Sequence, residues 1–202
     1  MRGAHSHSPR RNWFLASRQA APPSCMLDSI GSGMTQDVER GGEEMDQSSQ
    51  QTLVQLLHGQ RTAALGTLRD GAPLVSMVLY AMETDISAFY IHVSSLAHHT
   101  DGLTENNRVS LLIAQPDDGN KDPQTLARIS IQGRAEAMER GTPDYVESQA
   151  LYLARHPQAT MNFQLGDFAL YRIVPSAARY VAGFGRIFNL SRERLAEAGI
   201  RR

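Results

Sequence analysis

The chain has 202 residues, 41% of them hydrophobic, which favours one domain with some excess at its ends. Its formal net charge is −1, so nothing global points to nucleic acid or to an anionic membrane. Cys25 is the sole cysteine and there is no apolar run of about 18 residues, which argues against a disulfide framework, a cysteine-based zinc site and a membrane-spanning helix.

Residues 1–45 differ from the rest. They are rich in Arg, Ser, Gly and Pro and carry neither helix nor strand periodicity. Four arginines and no acid precede Leu27, but an amphipathic presequence pattern is poor and no apolar h-region exists. The segment reads as a disordered N-terminal extension, or as an over-extended start with the biological start at Met34 or Met45. His5 and His7 carry no defensible metal site on such a tail. Without a targeting signal the chain reads as cytoplasmic.

From residue 46 the pattern becomes periodic. Gln50–His58 carries Leu53, Leu56 and Leu57 at helical spacing, with Ser48 or Ser49 as N-cap. Thr62–Leu68 is β-prone, and Arg69-Asp70-Gly71 supplies a hairpin turn because Asp-Gly tolerates positive φ. Strands follow at Leu74–Met82, with Pro73 at the start, and at Ala88–Val93. Leu96–Glu105 is partly helical and ends at Asn106-Asn107; Val109–Ala114 is a strand. Gln115–Thr125 is a polar loop. Leu126–Met138 is a long strand, with Gly133 marking a bulge. Thr142-Pro143-Asp144 opens a helix that runs to about Arg155 and stops at His156-Pro157. Phe168–Val174 and Arg179–Phe184 are two strands separated by Pro175, and a short charged helix from Asn189 closes the chain. About six strands joined by hairpins and short helices disfavour a parallel sheet and favour an antiparallel barrel.

Several single residues have ordinary structural readings. His156 caps a helix C-terminus, where it suits the dipole. Met77, Met82 and Met138 are core filler. Arg134, Glu136, Glu139 and Arg140 make a solvated face. Gly183-Phe184-Gly185 lacks the helix and acid of a dinucleotide fingerprint and reads as a bend near a dimer interface. No catalytic acid–base residue stands out.

Four motifs in order carry a resemblance. They are Ser-Ser-Leu-Ala-His-His-Thr, then Leu-Thr-Glu-Asn-Asn-Arg-Val-Ser-Leu-Leu, then Ala-Arg-Ile-Ser-Ile-Gln-Gly-Arg-Ala-Glu, and the ending Arg-Tyr-Val-Ala-Gly-Phe-Gly-Arg. Over roughly Gln51 to Leu190 the chain resembles the FMN-binding split-barrel superfamily of pyridoxamine 5′-phosphate oxidase, closest to the branch of heme-utilisation proteins. The resemblance implies a mainly β (α+β) fold, a six-stranded antiparallel split β-barrel with short crossover helices over 46–190, and a short C-terminal tail over 191–202. It implies a homodimer with FMN at the subunit interface, and a flavin-dependent oxidoreductase acting on a small-molecule substrate. Carried over position by position, the cofactor contacts fall on Ser76, Met77 and Val78, on His92, Val93, Ser94 and Ser95, on His98 and His99, and on Arg128. The physics is compatible: hydroxyls, helix-start amides and a guanidinium are what a phosphate dianion takes.

The departures are specific. His98-His99 stands where the oxidase has an Arg-Lys pair, Ala81 where it has a lysine, and no Arg-x-His segment follows Gly185. These point away from oxidation of pyridoxamine phosphate. The last histidine is His156, before the final strands, which points away from the C-terminal iron ligand of the heme-degrading relatives. Two alternatives stay open: a heme-binding or heme-degrading protein on the same fold, and a cofactor-free dimeric binding module.

Overall fold

In the computed structural model, which describes residues 44–200, the alternating apolar runs become one antiparallel sheet. Its strands are β1 (Thr62–Arg69), β2 (Ala72–Leu79), β3 (Ala81–Met82), β4 (Phe89–Ser94), β5 (Arg108–Ala114), β6 (Arg128–Ala137), β7 (Phe168–Gly183) and β8 (Arg186–Ser191). The helices are α1 (Gln47–Gly59), α2 (His98–Glu105), α3 (Pro143–Arg155) and α4 (Arg192–Ile200). Cys25, His5, His7 and Met34 lie outside the described residues. Met45, placed in the tail by sequence, packs on the core.

The sheet order is β2-β1-β5-β6-β7-β4-β3, with β8 paired to β7. The chain runs from β2 at one end of this order directly into β3 at the other, so the sheet curls until its two ends meet at Tyr80. Beyond Tyr80 they part: β3 pairs with β4 through Ala81↔Tyr90 and Met82↔Phe89, whereas β2 pairs with β1 alone. The result is an antiparallel split barrel. Leu53, Leu65, Phe89, Ile91, Leu111, Ile113, Ile129 and Tyr180 fill its interior. A second cluster, with Tyr90, Tyr145, Tyr152, Phe163 and Leu170, lies between the sheet and the α3 layer.

Local chemistry explains most boundaries. Asp46, rather than Ser48 or Ser49, caps α1: its carboxylate accepts from the Ser49 N–H at 2.8 Å. Hydrogen bonds from Ser48 first, then Ser49, hold that carboxyl down to about 2. The β1–β2 turn has Asp70 at φ 51° and Gly71 at φ 73°, the two positive φ values a tight hairpin needs. Thr142 caps α3 as expected, accepting from the Tyr145 N–H at 3.3 Å.

Three expectations change. The two strands expected around Pro175 are one strand, β7. Pro175 sits opposite Gly133 where the β6–β7 register shifts, so its missing N–H falls at a bulge whose extra residue is Ser176. Gly133 is required there, since a Cβ would lie 2.5 Å from the Val174 carbonyl oxygen. Gly183 and Gly185 form a hairpin turn between β7 and β8 rather than a simple bend. The charged C-terminal segment is a strand followed by α4, which buries Leu195 and Ala198 in the core.

Gly133→Ala is expected to lower the unfolding free energy by about 2 kcal/mol through this backbone clash. A urea midpoint indistinguishable from that of the parent would contradict it.

Candidate functional site

The split leaves a mouth bounded by β2, by the β4–α2 connection and by α2. Both ends of the sheet contribute to it. The outer backbone edge of Ser76, Met77 and Val78 has no ladder partner, because β2 is an edge strand. Their side chains alternate. Val78 is buried in the core, Ser76 is half-buried, and Met77 is 74% exposed on the outer face with Val75 at 70%. Met77 is therefore not core filler, whereas Met82 is.

The helix α2 begins at His98, later than the sequence suggested, with Ala97 as a cap that makes no side-chain hydrogen bond. It closes on β1 through Gly102, where a Cβ would stand 2.8 Å from the Leu68 carbonyl oxygen. That approach brings the hairpin turn beneath the helix. Arg69 Nη1 lies 2.6 Å from His98 Nδ1, and Arg69 Nη2 lies 3.3 Å from Asp101. The Asp70 N–H donates to Glu105 at 3.1 Å. Asp101 Oδ2 is also 3.9 Å from His98 Nδ1. The His98 side chain is 75% exposed. His99 is half-buried with Nε2 unpartnered, and burial lowers its pKa.

Of the groups expected to grip a phosphate, the Ser94 hydroxyl and the Ser95 amide are engaged from within. The Ser94 hydroxyl donates to Asp167 Oδ2 at 2.8 Å and the Ser95 N–H donates to the Asp167 carbonyl at 2.6 Å. Arg128 is three strands away from β2, and its guanidinium donates to the carbonyls of Gln124 and Leu126 at 3.2 and 3.1 Å. Val93 is buried in the barrel core. Of the ten expected contacts, Ser76, Ser94, Ser95, His98 and His99 border the mouth, while Met77 and Val78 offer their backbone alone. Arg128, Val93 and His92 do not.

His92 faces the opposite side of β4. While Phe89, Ile91 and Val93 point into the barrel, His92 points at the α3 layer and stacks on Phe163, with ring centroids 3.7 Å apart and planes 6° from parallel. Tyr152 and Phe168 complete the enclosure. Neither ring nitrogen has a partner. Desolvation, with the Arg140 charge behind it, pushes this imidazole down to about 4. His156 caps α3 through its N–H to Tyr152, but its ring is buried and neutral-favouring, with Nε2–H donating to Tyr80 O at 2.8 Å. It is a structural donor rather than a charge for the dipole.

Sequence reasoning missed Asp167, Arg69 and Asp101. None carries a local signal: each matters through a partner brought up by the fold. A groove of about 810 Å³ lies elsewhere, on the outer face between Gly66, Ser110, Gln132 and Ser176, with Arg108, Arg134 and Arg192 at its rim. It is open to solvent and holds none of the expected residues.

A family model for pyridoxamine 5′-phosphate oxidase matches residues 49–182. The chain belongs to this family. A relative in Arabidopsis thaliana, the chloroplastic non-canonical heme oxygenase HOZ, is 35% identical over 136 residues, 66% of this chain and 40% of that protein. The heme oxygenase HutZ of Vibrio cholerae is 24% identical over 140 residues, 68% of this chain and 78% of its own length. Among solved structures, a heme-binding protein from Mycobacterium smegmatis superposes with a TM-score of 0.67 at 25% identity, over 76% of this chain and 62% of that one. The chain thus spans two fifths of the plant relative's length. Among the described residues, no helix is long and apolar enough to cross a membrane.

His92 has a depressed folded pKa against an ordinary value of 6.5, so the unfolded chain takes up a proton first. Its contribution to stability is full above about pH 6.5 and is lost as pH falls toward about 4. His92→Phe keeps the ring stack and removes the proton site. The drop in melting temperature between about pH 7 and pH 4.5 is expected to be smaller in this variant than in the parent. An equal drop would show that His92 carries none of the acid sensitivity.

Proposed function

We propose that this chain binds heme at the mouth between β2 and α2 and acts with the heme-degrading members of its family. The observation that carries the reading is the state of the donors around α2. The hydroxyl, amide and guanidinium that a flavin phosphate would need are spent on Asp167, Gln124 and Leu126, while an exposed imidazole remains. These commitments favour heme over FMN. Support also comes from the names of the relatives, two heme oxygenases and a heme-binding protein.

The residues present fit a heme. His98 would supply the nitrogen. The other described imidazoles in the running are less suited: His92 is walled in by rings, His156 is committed to Tyr80, and the His99 Nε2 is buried. Ligation through His98 Nε2 needs a bare Nε2 and a proton on Nδ1. Arg69 now donates to that Nδ1 at 2.6 Å; with Arg69 displaced, Asp101, 3.9 Å away, would approach to accept an Nδ1–H. Leu96, 84% exposed just before α2, offers apolar surface for a porphyrin. Bound heme would bring the oxygen chemistry of its iron; the chain holds and orients it.

The outer face of β2, β1, β5 and β6 supports a homodimer. Two rows across it, Val75–Gly66–Ser110–Gln132 and Met77–Ala64–Leu112–Ser130, contain no charge. A face of this kind is one that a second copy covers.

Purified chain incubated with hemin and desalted is expected to keep a Soret band, and chain incubated with FMN to lose its flavin. His98→Ala should weaken hemin about tenfold or more and shift the band. Light scattering should return twice 22.3 kDa. Retained flavin with no Soret band would overturn the heme reading, an unmoved band in His98→Ala would overturn the ligand, and a mass of one chain would overturn the dimer.

A further inference from the structure

Asp167 lies against Ser94 and Ser95, the residues that the family resemblance assigns to a phosphate. It immediately precedes β7, whose first residue, Phe168, pairs with Ser94 at the end of β4. That register sets Asp167 beside the β4–α2 connection. There it takes two donors at once. Its carboxylate accepts from the Ser94 hydroxyl at 2.8 Å, and its carbonyl accepts from the Ser95 N–H at 2.6 Å. The next amide, Leu96 N–H, is drawn onto Ser94 Oγ at 3.2 Å. Three consecutive residues that would otherwise present O–H and N–H groups to an anion are thus closed around an internal one.

The Arg140 guanidinium donates to the carbonyls of Leu165 and Phe168 on either side of Asp167 without forming an ion pair with its carboxylate, and Arg69 is paired with Asp101. Among the described residues no salt bridge reaches Asp167. A phosphate dianion entering this corner would lose its hydroxyl donor and face a fixed carboxylate. Heme carries its charge on two propionates far from the iron and needs no phosphate corner.

We propose that Asp167 is a specificity-determining residue: its carboxylate fills the phosphate subsite of the barrel and excludes phosphate-bearing flavins from the mouth. The inference rests on the reading that a cofactor lies between β2 and α2. It goes beyond that reading by naming the side chain that selects between cofactors of one fold.

The test uses the full chain and three titrations: FMN and riboflavin by flavin fluorescence, hemin by the Soret band. Asp167→Asn keeps an acceptor for Ser94 and removes the charge; Asp167→Ala frees the hydroxyl as well. Circular dichroism melts confirm that both fold, and the near-isosteric Asn variant carries the test where Ala does not fold. FMN binding is expected to tighten about tenfold or more in the variants, while riboflavin, which lacks the phosphate, changes less than about threefold. Hemin affinity should stay within about threefold of the parent. Unchanged FMN affinity overturns the proposal, and so does an equal gain for riboflavin. A parent chain that fails to bind hemin while Asp167→Asn gains FMN would sink the heme reading and leave the role of Asp167 standing.

Discussion

Tyr80 is the residue on which the architecture turns. The chain there leaves one end of the sheet and enters the other, and every polar atom of the residue is tied. Its N–H donates to Arg61 O, its carbonyl accepts from His156 Nε2–H at 2.8 Å, and its hydroxyl donates to Leu57 O at 2.6 Å. The ring is fully buried, tilted against Phe89 and covered by the Arg155 guanidinium at 5.1 Å. Burial drives its hydroxyl up to about 12, so it stays a donor at any physiological pH. α1, α3 and the barrel seam are thus fastened at one corner.

The mouth is a consequence of that corner. Because the ends of the sheet meet only at β3 and β4, β2 keeps a free backbone edge, and the connection from β4 must turn outward before α2 begins. The hairpin turn then reaches α2 through Arg69, so the electrostatics of the site are set by residues far apart in sequence. An Arg–His–Asp cluster lies on one side and a Ser–Asp pair on the other. The first leaves an exposed imidazole and the second a half-buried carboxylate. A barrel of one family can in this way serve different cofactors by changing which groups close its corner.

Much of the fold was legible because its signals are local. The Asp-Gly turn, the Thr-Pro-Asp helix start and the glycine at a bulge each report a backbone demand within a few residues. Pro175 misled because its meaning depends on Gly133 opposite it, across the sheet. The strand at Arg186–Ser191 was missed although Phe188 and Leu190 are buried in alternation, since the charged residues that follow draw the eye to a helix. The site was less legible. The resemblance led to Ser94, Ser95, His98 and His99, and these do gather at the mouth. What it did not convey is what each side chain is already bonded to: Asp167, Arg69 and Asp101 are ordinary acids and an ordinary arginine until the strands pair. The late absence of histidine weighed against heme in the sequence, whereas the exposed His98 on α2 offers an imidazole from a different element.

A crystal structure of the full chain with hemin tests this account most directly. Two copies are expected to pack through the uncharged Val75 and Met77 rows on the outer face of β2, β1, β5 and β6, with iron nearest to His98 Nε2 and the Ser94–Asp167 hydrogen bond intact. Iron held by another residue, or a Ser94 hydroxyl turned from Asp167 to the ligand, would contradict it.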